Sequence, residues 1–191
     1  IVIASLTERC NLTCDYCYGS LETVADMSAE NADRVVDFAV SKTPHEDTLE
    51  FGFFGGEPLL CPQLISALSR YIHARARASS RPVKLSVTTN GTILTPAILQ
   101  ILRDERIRLC VSLDGTQAVH DRYRRRRDGG PTYDRIVRNL RLAMDVFDDV
   151  QVNAVFSPAT IDQLAAGVAS ILELGVAVVH VNPDICAAWT D

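Results

Sequence analysis

The sequence predicts an α/β fold of six parallel strands joined by helical crossovers, a partial (β/α)6 version of the TIM-like barrel. Three observations predict it. Short apolar runs rich in Val, Ile and Leu alternate with segments of helical periodicity along the whole chain. Turn residues close the strands. The 191 residues fall short of the ~250 that a complete eight-stranded barrel takes. An open doubly wound sheet has the same periodicity. No G-x-G-x-x-G follows the first strand, which counts against the dinucleotide-binding version.

The elements follow in order. Ile1 to Thr7 reads as the first strand, and a cysteine-bearing loop follows it. Ser28 is an N-cap for a helix striped by Val35, Val36, Ala39 and Val40. Thr48 to Phe54 is the second strand, closed by Gly55-Gly56-Glu57-Pro58. Leu64, Ile65, Leu68, Tyr71 and Ile72 stripe a second helix. Lys84 to Thr89 is the third strand, turned by Asn90-Gly91. Thr95-Pro96 pairs an N-cap with proline at the first helical position, and Ile98 to Leu102 form the third helix. Arg108 to Leu113 is the fourth strand, closed by Asp114-Gly115, and a charged loop follows. Ile136, Val137, Leu140, Ala143, Met144 and Phe147 stripe a fourth helix. Val150 to Phe156 is the fifth strand, and Ile161 to Leu172 the fifth helix, ended by Gly175. Val176 to Val181 is the sixth strand.

Composition sets outer bounds. A hydrophobic share of 47% and a charged share of 23% describe one ordinary globular domain, expected over residues 1–191. The net charge of -5 gives no support to nucleic-acid binding. No apolar run approaches the ~20 residues of a membrane span. Six cysteines, three of them scattered, fit a reducing compartment, so a cytoplasmic location is expected. The chain begins with Ile1 already in a strand and ends without a closing helix, so it is read as a fragment of a longer protein.

Three cysteines, Cys10, Cys14 and Cys17, fall within eight residues at spacing C-x3-C-x2-C. Thiolates bind soft metals, zinc or iron-sulfur clusters. A structural zinc site wants a fourth Cys or His close by, and the next cysteine is Cys61. Three thiolates leave one cluster iron open, and chemistry can happen there. Cys61, Cys110 and Cys186 read as small core residues.

The spacing, with aromatic Tyr16 before the third cysteine, resembles the signature of the radical S-adenosylmethionine (SAM) enzymes. The resemblance implies that Cys10, Cys14 and Cys17 hold a [4Fe-4S] cluster whose open iron SAM chelates. It implies one-electron cleavage of SAM to a 5′-deoxyadenosyl radical that abstracts hydrogen from a substrate. Phe54-Gly55-Gly56-Glu57-Pro58 is similar to the family's GGEP motif, which binds the SAM amino group. Backbone carbonyls and a carboxylate suit an ammonium. Val87 to Thr92, Val111 to Gly115, His120 to Arg124 and Gly129 to Tyr133 resemble motifs of the SPASM branch, which contains anaerobic sulfatase-maturing and peptide-modifying enzymes. That branch implies a peptide or protein substrate and an electron donor such as flavodoxin or ferredoxin. The branch is named for a cysteine-rich C-terminal domain, which these residues do not include.

Cofactor-binding residues implied by the resemblance are Tyr16, Gly55, Gly56, Glu57, Asn90, Ser112, Asp114, Arg124 and Asn153, with Ser112 at the ribose or carboxylate of SAM. Five arginines lie between Arg122 and Arg127. They read either as a solvated loop or as a source of one bidentate carboxylate contact, with Arg124 the candidate. A non-catalytic iron-sulfur electron carrier and a zinc-binding interaction module are the rival readings.

Period two predicts side-chain direction. Leu109, Val111 and Leu113 alternate with Cys110, Ser112 and Asp114, as Val152 and Ala154 do with Gln151 and Asn153, and Val179 and Val181 with His180 and Asn182. The apolar sets should meet the helices. Ser112, Asn153 and His180 should face a shared polar cavity that opens towards the cysteine loop.

Overall fold

A computed structural model describes residues 1–19 and 25–189. Thr190 and Asp191, at the end of the chain read above as having no closing helix, lie outside the described residues. The strands are β1 (Val2–Thr7), β2 (Leu12–Cys14), β3 (Leu49–Gly55), β4 (Val83–Thr89), β5 (Ile107–Ser112), β6 (Arg124–Arg126), β7 (Val150–Phe156) and β8 (Val178–Pro183). The helices are α1 (Ala29–Lys42), α2 (Pro62–Ala78), α3 (Pro96–Asp104), α4 (Gln117–Tyr123), α5 (Tyr133–Met144) and α6 (Leu164–Leu172).

Six strands form one sheet in the order β1-β3-β4-β5-β7-β8, and the ladders β1–β3, β3–β4 and β7–β8 run parallel. Each new strand joins beside the one before it. A doubly wound sheet reverses its order at a switch point, and no reversal occurs here. The open alternative is therefore set aside in favour of the barrel-type winding.

The chain divides into two compact units. The first comprises 1–10, 19–88 and 95–109. Its core holds Leu6, Val36, Leu49, Phe53, Ile65, Ile72, Leu102 and Ile107, each almost wholly buried. Ser28 caps α1 by accepting the Asn31 N–H, and Thr95 caps α3 by accepting the Ile98 N–H. The second unit comprises 11–18, 89–94 and 110–191. Val111, Leu113, Ile136, Leu140, Val152 and Ile171 form its core. Ala154 lines a cleft against α6 with Leu164, Val168 and Ile171.

Three differences from the expected elements have physical causes. The charged loop after β5 contains helix α4 and strand β6, because β6 has a partner far away in sequence. That partner is β2, and the two make an antiparallel ribbon pairing Leu12 with Arg126, Thr13 with Arg125 and Cys14 with Arg124. Local periodicity cannot announce a three-residue strand. β8 begins two residues later than the apolar run, since its ladder starts where Val178 pairs with Gln151. The fifth predicted helix opens as a 3-10 turn over Ile161–Gln163 before α6.

The helix α6 approaches the end of β5 closely. A Cβ added at Gly115, whose φ is +92°, would lie 2.7 Å from the Gly167 Cα. The atoms it would meet on Gly167 are all backbone and cannot rotate away. Gly115→Ala should cost about 1–3 kcal/mol from overpacking and left-handed strain. The check is a urea unfolding curve, with a lower midpoint at unchanged slope.

Candidate active site

At the ends of β1 and β3 the backbone sets the geometry. The Gly56 N–H donates to the Thr7 carbonyl and the Glu57 N–H to the Arg9 carbonyl, both at 2.8 Å. A Cβ at Gly56 would lie 2.3 Å from the Arg9 oxygen, so only glycine admits this approach. Arg9 directly precedes Cys10. The residue before the first cysteine therefore carries the turn expected to bind an ammonium.

Glu57 is 0% exposed. Its Oε1 accepts the Leu59 N–H at 3.0 Å and caps the 3-10 helix Pro58–Leu60. Sequence reasoning gave this carboxylate to SAM alone. In the structure one of its oxygens shapes the turn, because the backbone N–H groups after Pro58 need an acceptor. A fork not legible in the sequence braces the same region. Arg9 donates from Nε to Asp26 Oδ1 at 2.8 Å and from Nη2 to Oδ2 at 2.6 Å, while the Thr7 hydroxyl also bonds Asp26. These hydrogen bonds, Arg9's first, hold the Asp26 carboxyl below the usual carboxylate range. Arg9 Nη2 also lies 3.5 Å from Cys61 Sγ.

In the second unit, Tyr16, Asp114 and Arg124 are brought together. Asp114 Oδ2 accepts both the Tyr16 hydroxyl and the Arg124 Nε–H, the latter at 2.8 Å. Its Oδ1 accepts the Val155 N–H at 3.0 Å. The Arg124 guanidinium lies 5.2 Å from the centre of the Tyr16 ring, a cation–π distance. Burial pushes the Tyr16 phenol well up, so it stays protonated and donates. Burial pulls Arg124 down, but Asp114, Tyr16 and Cys14 outweigh it and the net direction is upward. The expected partner of Arg124 was a carboxylate of SAM or substrate. Its partner here is Asp114, and both side chains are almost wholly buried. A buried cation takes the anion that the fold supplies.

His120 on α4 completes this arrangement and was not singled out by the sequence. It is fully buried. Its Nδ1 accepts the Asp114 N–H at 3.2 Å. Its Nε2 lies 3.0 Å from the Thr132 hydroxyl, which itself donates to the Arg124 carbonyl at 2.7 Å. That assigns the proton to Nε2, donating to Thr132 Oγ1. Asp121 Oδ1 accepts the Thr132 and Tyr133 N–H groups and starts α5. The signal was present as His120-Asp121-Arg122-Tyr123-Arg124, but its contacts are tertiary.

The remaining predicted residues fall in smaller groups. Asn90 is buried; it donates to Asn11 Oδ1 at 2.8 Å and accepts the Thr92 N–H and hydroxyl. Ser112 is buried at the end of β5. Asn153 accepts from Asn182, and exposed His180 bonds Gln151 at 2.8 Å. Leu109, Val111, Leu113 and Val152 are fully buried, as the alternation required. On β8 the apolar set is less well covered, and Val181 is 37% exposed.

None of the six cysteines, all among the described residues, is in a disulfide. Cys10 and Cys14 are partly exposed and Cys17 is exposed, and the Cys17 N–H closes a turn on the Cys14 carbonyl at 3.0 Å. Three cysteines at this spacing, none of them fully buried, fit the donor chemistry of an iron-sulfur cluster. Among the described residues, no three or more His, Cys, Asp or Glu groups are gathered to hold a single metal ion. Cys61 and Cys110 are partly buried and Cys186 is exposed, so none of the three is the fully buried core residue expected; Cys186 lies beyond the last strand. No helix among the described residues is long and apolar enough to cross a membrane.

A strand-end cysteine loop on a singly wound parallel sheet defines a class of enzyme, and comparison with known proteins names it. The Radical SAM superfamily matches residues 4–183, so the chain belongs to the radical SAM superfamily, whose enzymes use a [4Fe-4S] cluster and SAM. It is 30% identical over 151 residues to the serine-type anaerobic sulfatase-maturating enzyme of Bacteroides thetaiotaomicron, covering 74% of this chain and 36% of that protein. It is 27% identical over 187 residues to the AdoMet-dependent heme synthase of Methanosarcina barkeri, covering 95% of this chain and 49% of that protein. The chain thus spans less than half the length of these relatives. A solved structure of anSMEcpe with bound AdoMet and peptide superposes with a TM-score of 0.87 at 19% identity, covering 99% of this chain and 52% of that one. At that identity the likeness establishes the fold, the partial TIM-type barrel expected from the sequence.

The His120 contacts fix the sign of an acid response. Burial, then the charge of Arg124, lowers the imidazole from 6.5 to about 4, against smaller opposite pulls from Asp114 and Asp121. Between those values the unfolded chain binds more protons. The stabilising contribution is therefore full above pH ~6.5 and is lost as pH falls towards ~4, roughly 3 kcal/mol in total. Denaturant titrations across this range should show that slope in the native chain, and His120→Gln should flatten it.

Proposed function

We propose that this chain is the catalytic core of a radical SAM enzyme acting on a peptide or protein side chain. The observation that carries the reading is the shared backbone at the β1 exit. The carbonyls of Thr7 and Arg9 hold the Gly55-Gly56-Glu57 turn, and Cys10 is the next residue. That supports a metal ligand at Cys10, directly after the residue whose carbonyl holds the turn that would bind the ammonium.

In this reading Cys10, Cys14 and Cys17 supply three thiolates and leave one cluster iron for SAM. Carbonyls of Gly55 and Gly56, with the Glu57 carboxylate, accept hydrogen bonds from the SAM ammonium. Ser112 serves the ribose or carboxylate end, and Asn90 and Asn153 are further amide contacts for SAM. The bound cluster and SAM supply the one-electron cleavage that gives a 5′-deoxyadenosyl radical able to take hydrogen from the substrate. An external one-electron donor such as flavodoxin or ferredoxin is required. The sulfatase-maturating relatives and the peptide-bound structural neighbour support the peptide or protein substrate class.

Two measurements test this. Iron per chain after anaerobic reconstitution should fall in Cys10→Ala, Cys14→Ala and Cys17→Ala and stay full in Cys61→Ala, Cys110→Ala and Cys186→Ala. Full loading of Cys14→Ala would refute the ligand set. Glu57→Ala should keep its iron and bind SAM ten- to a hundredfold more weakly, about 1.5–3 kcal/mol for one charge-assisted hydrogen bond. Cluster spectra that do not respond to SAM would instead favour an electron carrier.

A further inference from the structure

The turn from Cys14 to Cys17 is fixed at each of its residues. Cys14 lies in the ribbon opposite Arg124. The Asp15 N–H donates to the Tyr123 carbonyl at 3.0 Å. The Tyr16 hydroxyl bonds Asp114, and its ring carries the Arg124 guanidinium. The Cys17 N–H returns to Cys14. The side chain that faces inward from this turn is Tyr16, and its polar atom is spent on Asp114.

Asp114 is in turn held from three directions. Arg124 arrives from β6, the Val155 N–H from β7, and His120 takes its own N–H. Thr132 ties His120 to the Arg124 carbonyl. Asp114 and Arg124 are thus fixed through both backbone and side chain. Polar atoms committed in this way act on the turn more directly than on a ligand.

We propose that Tyr16, Asp114 and Arg124, braced by His120 and Thr132, are positioning residues for the Cys14–Cys17 turn, and that their balanced charges set how readily a cluster on that turn accepts an electron. The inference rests on the reading of Cys14 and Cys17 as cluster ligands. An added electron is favoured by excess positive charge nearby and opposed by excess negative charge. Removing Asp114 leaves Arg124 uncompensated, and removing Arg124 leaves Asp114 uncompensated. The two changes should therefore move the reduction potential in opposite directions. A residue that served only to hold the fold would not produce that pattern.

The test uses the whole chain in two forms. Without metal, residue-resolved alkylation by iodoacetamide is followed by mass spectrometry. Tyr16→Phe keeps the ring and loses the hydroxyl contact; Cys14 and Cys17 should react ~tenfold faster, the equivalent of one charge-assisted hydrogen bond, while exposed Cys186 keeps its rate. Unchanged rates at Cys14 and Cys17 overturn the positioning role. If Tyr16→Phe fails to fold, seen as Cys110 accelerating with them, Thr132→Val applies the same test through the Arg124 carbonyl. With the cluster loaded, potentiometric titration should place Asp114→Asn above the native chain and Arg124→Gln below it. Shifts of one sign overturn the charge assignment. A native chain that takes up no iron refutes the ligand reading instead, and the alkylation rates still decide the positioning role.

Discussion

One buried carboxylate organises the second unit. Asp114 sits where β5 ends, and four groups from elsewhere in the unit converge on it: Tyr16, Arg124, the Val155 N–H and the His120 ring. A charge taken out of water is tolerated only if its lone pairs are filled and an opposite charge is close. That requirement explains why α4 and β6 lie where they do. Arg124 must be buried to reach Asp114, so the strand carrying it needs a ladder partner, and β2 supplies one. His120 must be neutral to accept a backbone N–H at Nδ1, and its burial, helped by the charge of Arg124, keeps it so.

The first unit solves a different problem. Two parallel strand ends are stapled by backbone hydrogen bonds that pass through glycine, and a polar side chain caps the short helix that follows. Here the constraint is steric. The carbonyls of Thr7 and Arg9 lie where a Cβ would stand. The Arg9–Asp26 fork is about half exposed, so its worth lies in geometry more than in energy.

Much of this was legible in the sequence. The six parallel strands and the helices between them followed from periodicity, and β7 was placed to the residue because its apolar alternation coincides with its ladder. The caps at Ser28 and Thr95 followed from local chemistry. The family was legible in the cysteine spacing and the glycine turn. What stayed hidden was contact between residues far apart. Tyr16 and Asp114 are 98 positions apart, and nothing in either neighbourhood announces the other. Arg124 stood in a run of arginines, where charge alone suggested solvent. Its neighbours Arg126 and Arg127 are indeed exposed, and the pairing register of a three-residue strand singles out Arg124 for burial.

That three-residue ribbon is also where this unit can open most easily. Its ladder is three residue pairs long, and one strand carries Cys14. Short ribbons open at a small fraction of the free energy of global unfolding. Amide protons of β2 and β6 would then exchange with solvent ahead of those in β5 and β7, with the β/α core still folded. Tyr16 and Arg124 would leave Asp114 in the same opening, since one follows the first ribbon strand and the other lies in the second.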